Sequence, residues 1–337
     1  MIKILHCYKT YYPDTYGGVE QVIYQLAEGT IEHNVNSTVF SLTRKNLEGK
    51  NFVDNHQTYK VKTQFEVAST PFSFSAISKF KELAAKADII HYHFPYPFMD
   101  IMHYAAKIKK PTILSYHADI VKQQLLSKVY NPLMKCFLND VDCIVASSPN
   151  YARSSVVLSE FKHKTCVIPY GLEDKKYFDL DDERLAFWNS KFNDGFFIFV
   201  GAFRYYKGLL TLLKAARGAK YKIVLIGAGG IEVELKKYAN LNELENVHFV
   251  GAVSDQDKYA LLSLSRGVVF PSHLRSESFG ISLLEGAIFS KPLISCEIGT
   301  GTTFINIDKE TGIVIEPSNC DELKKAMDTL WNSPVLA

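Results

Sequence analysis

LEDKKYFDLDDERLAFWNSKFNDG, residues 172–195, decides how the chain is organised. The stretch is polar and acidic, and it interrupts an alternation of short β-rich runs with segments of helical period. Upstream lie IKILHCY (2–8), STVFSLT (37–43), ADIIHYHF (87–94), PTILSYH (111–117), DCIVAS (142–147) and TCVIPY (165–170). Between several of them run amphipathic stretches such as VEQVIYQLAEGTIEHN (19–34) and KFKELAAKA (79–87). Downstream the alternation restarts with FFIFVG (196–201), YKIVLIG (221–227), NVHFVG (246–251), GVVFPS (267–272), PLISC (292–296) and GIVIEP (312–317). Continuous apolar strands separated by amphipathic helices are the pattern of parallel sheets covered on both faces. The sequence therefore predicts an α/β chain of two doubly wound, Rossmann-like domains, 1–171 and 195–337, with a linker at 172–194. Ligands of open α/β sheets bind beyond the carboxyl ends of the strands. The expected site is a cleft where the two domains face each other.

Composition fits this organisation. A chain of 337 residues is too long for one ordinary core, and 47% hydrophobic with 22% charged residues is a globular balance. MIKILHCYKT carries too short an apolar core for a secretory signal and reads as a first strand. No run approaches the ~18 apolar residues of a membrane span. The six cysteines include no C-x-x-C pair and several sit in strand-like segments, the habit of reduced core thiols in a cytoplasmic protein, with no zinc site implied. Residues 1–170 hold 19 Lys and Arg against 14 Asp and Glu, whereas the rest hold 19 against 22. The basic residues fall partly on KFKELAAKAD (79–88) and KIKK (107–110), either a solvated helix face or a surface resting on anionic lipid headgroups. A nucleic-acid partner is disfavoured, because no dense basic stripe is interleaved with aromatics.

Several strand ends carry chemistry. IKILHCY empties into KTYYPDTYGGVE (9–20), where Gly17 and Gly18 could admit a ligand's phosphate or sugar oxygen beside a helix N-terminus, or simply form a tight turn. His117 follows a strand end in YHADI, with Asp119 behind it. His91 and His93 alternate on a strand and point to one face. A metal would need a third ligand, for which His103 is the helix-borne candidate, but packing and hydrogen bonding are the preferred reading and no metal site is expected.

In the second half, FFIFVGAFRYYKGLL (196–210) places Arg204 and Lys207 between a strand and a helix, a pairing suited to a diphosphate. YKIVLIGAGGIEVEL (221–235) fails as a dinucleotide fingerprint, because Glu232 stands where a third glycine would pack. SESFGISLLEGA (276–287) sets Glu277 in a loop and Glu285 about a turn and a half into a helix beginning near Gly280. Amides of Phe279 and Gly280 would stand at the positive helix end. A glycosidase pair must flank one bond at about 5–9.5 Å. These two acids would project from one side, and the neighbouring cations and helix end call for a phosphate that such a substrate lacks.

The E-x7-E arrangement Glu277/Glu285, the GGVE turn, the histidine of YHADI and the basic GAFRYYKG loop together resemble retaining glycosyltransferases of family 4, with the GT-B fold. The resemblance runs over nearly the whole chain. It implies a nucleotide-diphospho-sugar bound chiefly by the second domain and an acceptor bound chiefly by the first. Arg204 and Lys207 would hold the diphosphate as the leaving group gains charge, Ser278, Phe279 and Gly280 would line the donor site, and Glu285 would bind the ribose. Glu277 would contact sugar hydroxyls, His117 the sugar near the reacting centre, and Gly17 and Gly18 a phosphate. No cofactor or metal is implied. Retention would follow from front-face attack assisted by the leaving phosphate. Similar enzymes assemble O-antigen or capsule on a lipid carrier, which implies a lipopolysaccharide-type pathway, a lipid-linked saccharide acceptor, a peripheral place at the cytoplasmic membrane face, and mannose from GDP-mannose ahead of UDP-hexoses. Two departures stand out. Members commonly carry Arg where this chain has Ala202, with Arg204 the expected substitute. They also usually extend past the last helix and cross back onto the first domain, where NSPVLA (332–337) implies a short or truncated chain and puts domain closure in doubt. Rival readings are a nucleotide-sugar epimerase or hydrolase of the same fold, and a two-domain sugar-binding protein.

Overall fold

The computed structural model describes residues 1–45, 47–120, 124–173 and 175–333, and the chain divides into two compact units, Met1–Gly171 and Leu172–Ala337. In the first unit an eight-stranded sheet uses β1 (Ile2–Cys7), β2 (Val35–Thr43), β3 (Gly49–Val53), β4 (His56–Lys62), β7 (Ile89–Phe94), β8 (Thr112–Tyr116), β9 (Cys143–Ala146) and β10 (Thr165–Val167). Two short strands, β5 (Phe65–Val67) and β6 (Thr70–Phe72), pair separately. The order is β10-β9-β8-β7-β1-β2-β4-β3, parallel except for the edge strand β3. β1 lies between β2 and β7, with His6 in register with His91, and β7 sets His93 against Ser115 of β8. Parallel strands buried on both faces account for the apolar runs read above.

The β3–β4 hairpin has no counterpart among the predicted strands. β3 is largely exposed and polar, so it lacks an apolar run, and its signal is the two-residue Asp54-Asn55 turn with Asp54 at φ 46. The helix expected over 19–34 ends at Gly29 and gives way to a tight turn over Ile31–His33.

The second unit is a six-stranded parallel sheet in the order β13-β12-β11-β14-β15-β16. Its strands are β11 (Phe196–Val200), β12 (Lys222–Ile226), β13 (Val247–Gly251), β14 (Gly267–Phe270), β15 (Leu293–Cys296) and β16 (Gly312–Ile315). Residues 172–194, expected as a linker, belong instead to this unit. Within them the helix Asp182–Lys191 buries Trp188 beside Phe192, Phe196 and Ile198, and the Trp188 indole donates to Asp257 at 2.9 Å. The acidic composition hides Leu185, Trp188 and Phe192 at i, i+3 and i+7, an apolar stripe of helical spacing. The final residues 334–337 lie outside the described part. Among the described residues no helix is long and apolar enough to cross a membrane.

Candidate functional site

In the second unit the expected cation and acid are brought together by backbone contact between loops. Lys207 closes the one-turn helix Tyr205–Lys207 and is followed by Gly208 at φ +68. A Cβ at position 208 would stand 1.9 Å from the carbonyl oxygen of Pro271. Only glycine lets this turn lie against the end of β14. The Lys207 ammonium consequently pairs with the Glu277 carboxylate and sits 4.6 Å above the Phe270 ring. The Ser272 hydroxyl is 3.4 Å from the same carboxylate oxygen. Both charged side chains are nearly enclosed, 11% and 12% exposed. An ammonium carries three protons, so one engaged by Glu277 leaves donors for a second anion. Gly208→Ala is expected to destabilise the protein by at least about 2 kcal/mol, through a left-handed alanine and a backbone clash, seen as a lower denaturant midpoint.

Gly227 and Gly229, in the segment that fails as a dinucleotide fingerprint, let two loops meet. Cβ atoms there would lie 2.0 Å and 2.3 Å from the carbonyl oxygens of Gly201 and Phe203. Their absence seats the GAFR loop on the next loop, where the Phe203 amide donates to Ala228 at 2.9 Å. Arg204 extends from this loop exposed and makes no ion pair among the described residues. Thus Lys207 meets Glu277, and the structure leaves Arg204 apart from that pair.

Helix Ile281–Ile288 begins after Gly280, whose φ of 95 requires glycine, and no side chain caps this end. Uncapped amides and the helix dipole favour an anion there. Phe279 is buried and the Ser278 carbonyl accepts from the Gly301 amide at 2.8 Å. Glu285, buried inside the helix, accepts from Lys258 at 2.8 Å and from the Tyr177 hydroxyl at 3.3 Å. Burial alone would lower the Lys258 ammonium, but the Glu285 and Asp255 carboxylates raise it above its ordinary value. Sequence reasoning missed both partners. Tyr177 lies in the supposed linker, and Lys258 stands in helix Asp255–Leu264 within no motif.

In the first unit Gly17 has an extended backbone, so no positive φ demands it. A Cβ there would lie 2.5 Å from Glu20, whose carboxylate folds back over the start of helix Gly18–Gly29 and accepts from Thr10 at 3.0 Å and Thr15 at 2.6 Å. Glycine at 17 makes room for the protein's own acid. That acid already meets the positive helix end, which weakens the electrostatic case for a phosphate beside Gly17 and Gly18.

His117 is buried, with Nε2 2.9 Å from His93 Nδ1 and Nδ1 2.5 Å from the Tyr170 hydroxyl. His93 Nε2 continues to His6 Nδ1 at 3.1 Å, and His6 Nε2 reaches Ser37 Oγ at 3.3 Å. Burial lowers His117 to about 3 and His91 to about 4, and holds His6 and His93 well below the ordinary histidine value. Asp119 accepts from Tyr116 at 3.0 Å and from Ser155 at 2.8 Å, tying loops rather than orienting His117.

Ring nitrogens of His6, His91 and His93 come within 4.8 Å of one another, close enough for a shared ion. However, the His91 and His93 rings are stacked at 4.4 Å with 21° between planes. An ion in the plane of one ring therefore lies out of the plane of the other, and the seats suit hydrogen bonding. His103, the candidate third ligand, lies elsewhere, with Nδ1 2.9 Å from the Tyr92 hydroxyl and Nε2 3.7 Å from Asp140. The expected basic helix face is partly neutralised, because Lys79 and Lys86 both pair with Glu82.

The second unit thus joins Lys207 to Glu277 beside an uncapped helix start and holds Glu285 further along that helix. The family description Glycosyltransferase Family 4 fits residues 16–176, and Glycosyl transferases group 1 fits residues 182–337. The chain is 52% identical to O-antigen chain mannosyltransferase C of Escherichia coli over 98% of this chain and 89% of that protein. It is 48% identical to D-rhamnosyltransferase WbpZ of Pseudomonas aeruginosa over 99% and 87%. Sucrose-phosphate synthase of Thermosynechococcus elongatus shares the fold with a TM-score of 0.80 at 19% identity, covering 100% of this chain and 91% of that one. The chain belongs to glycosyltransferase family 4, with a group 1 glycosyltransferase module as its second half.

Proposed function

We propose that the chain is a retaining hexosyltransferase that moves mannose from GDP-mannose to a lipid-linked saccharide during O-antigen or capsule assembly. The observation that carries this reading is the Lys207 ammonium held against Glu277 by the Gly208–Pro271 contact. There it can take up charge that develops on a departing diphosphate, a stabilisation that grows toward the transition state. Arg204 and the uncapped start of Ile281–Ile288 add positive potential, so protein groups supply what a metal would otherwise provide. Glu277 receives sugar hydroxyls and Glu285 the ribose, with Lys258 and Tyr177 sharing the Glu285 oxygen. His117 belongs to the acceptor-binding unit. Exposed Lys109 and Lys110 offer contacts to lipid phosphate at the cytoplasmic membrane face.

The mannosyltransferase at 52% identity supports mannose, and the rhamnosyltransferase at 48% identity makes 6-deoxymannose the sugar to test against it. A thermal-shift panel of GDP, UDP, ADP and their sugars, including GDP-D-rhamnose, reads donor choice. A donor at a hundredfold its Kd raises stability by about 2.7 kcal/mol. GDP and GDP-mannose are expected to stabilise the protein, with label passing to lipid-linked saccharide only when acceptor is present. Consumption of donor without acceptor would identify the epimerase or hydrolase. Sugar binding without nucleotide would identify the binding protein.

A further inference from the structure

We propose that His6 and His93 are positioning residues for His117: three imidazoles, ended by Ser37 and Tyr170, form one hydrogen-bonded chain that presents His117 Nδ1 as an acceptor for a hydroxyl. The proposal deepens the reading of His117 as a sugar contact and rests on it.

The chain runs Tyr170 hydroxyl, His117, His93, His6, Ser37 hydroxyl, with links of 2.5, 2.9, 3.1 and 3.3 Å. Each ring uses both nitrogens. A neutral imidazole has one donor and one acceptor, so the direction of any link fixes the direction of every other. Burial disfavours the charged form of each ring and so lowers its basicity. Two arrangements satisfy the geometry, with all three rings protonated at Nε2 or all three at Nδ1. The Tyr170 end decides between them, since a phenol is the better proton donor and an imidazole nitrogen the better acceptor. The phenol therefore donates to His117 Nδ1, and every ring carries its proton on Nε2. A sugar hydroxyl taking the place of the Tyr170 hydroxyl meets the same acceptor in the same ring position.

His91 is a built-in control. It too is buried, lies 5.0 Å from His6 and stacks on His93 at 4.4 Å, yet its Nε2 turns to Ser115 at 2.8 Å, outside the chain.

Two measurements on the full chain test this. NMR with 15N-labelled histidine is expected to show unprotonated Nδ1 and protonated Nε2 on His6, His93 and His117. His117 carrying its proton on Nδ1 would overturn the proposal, whatever any variant does. His93→Phe preserves a stacked ring while removing both nitrogens. It should lower kcat about 10²-fold through misplacement of His117 while GDP binding is unchanged, and His91→Phe should keep near wild-type turnover. If His93→Phe turns over normally while Lys207→Ala does not, the chain is purely structural and the proposal falls with the transferase reading intact. If neither variant affects transfer, it is the assignment of the site that fails.

Discussion

Lys207→Ala is expected to lower kcat by roughly 10²–10³-fold, the usual cost of deleting one preorganised group that stabilises transition-state charge. The same substitution should also cost about 3–5 kcal/mol of stability, because Glu277 then stays enclosed without its cation. The two effects separate in a double variant. Adding Glu277→Gln removes the stranded charge, so Lys207→Ala/Glu277→Gln should recover most of the denaturation midpoint and none of the turnover. Recovered turnover in the double variant would mean that the lysine serves only to neutralise Glu277. A pairwise reading needs this cycle, since either single change leaves the partner in an altered setting.

The second large effect is acid lability of the first unit. His6, His91, His93 and His117 are held neutral by burial, and in the unfolded chain each titrates near its ordinary value of 6.5. Folded values lie below unfolded ones. The stability they contribute is thus complete above about pH 6.5 and is lost as pH falls toward the folded values, about 4 for His91 and about 3 for His117. Each ring is worth about 1.4 kcal/mol per pH unit. Asp100 works the other way, since burial raises its carboxyl well above 3.8 and favours the folded state in acid. Asp100 offsets part of this loss, and the net slope is on the order of 1.4 kcal/mol per pH unit for each ring not so offset. Urea midpoints measured from pH 7.5 to 5 should fall steeply in the first unit's transition. A flat profile would mean the rings are charged or solvated in the folded protein.

The strands and the helix after Gly280 were legible because each is a buried apolar run bounded by turn residues, as in GVVFPS and GIVIEP. The hairpin of β3 and β4 was not, because an exposed edge strand has no apolar face to announce it. Composition misled at 172–194, where seven acids between Glu173 and Asp194 outweighed three apolar residues whose spacing carried the information. The candidate site was legible where one local segment holds its charged groups, as with Glu277 and Glu285. Lys258 and Tyr177 were not legible, because they reach Glu285 from 27 and 108 residues away. Nor was His6, which meets His93 across 87 positions only because β1 lies beside β7. Sequence spacing cannot report a neighbour supplied by strand order.

Docking of helix Asp182–Lys191 through Trp188 also dictates where relatives can be spliced. A chimaera joined at the visible start of β11 would graft a half whose indole seat on Asp257 is supplied by a foreign parent. A junction just after Gly171 keeps tryptophan, aspartate and the phenylalanines around them from one lineage, so the two halves can be exchanged as inherited wholes.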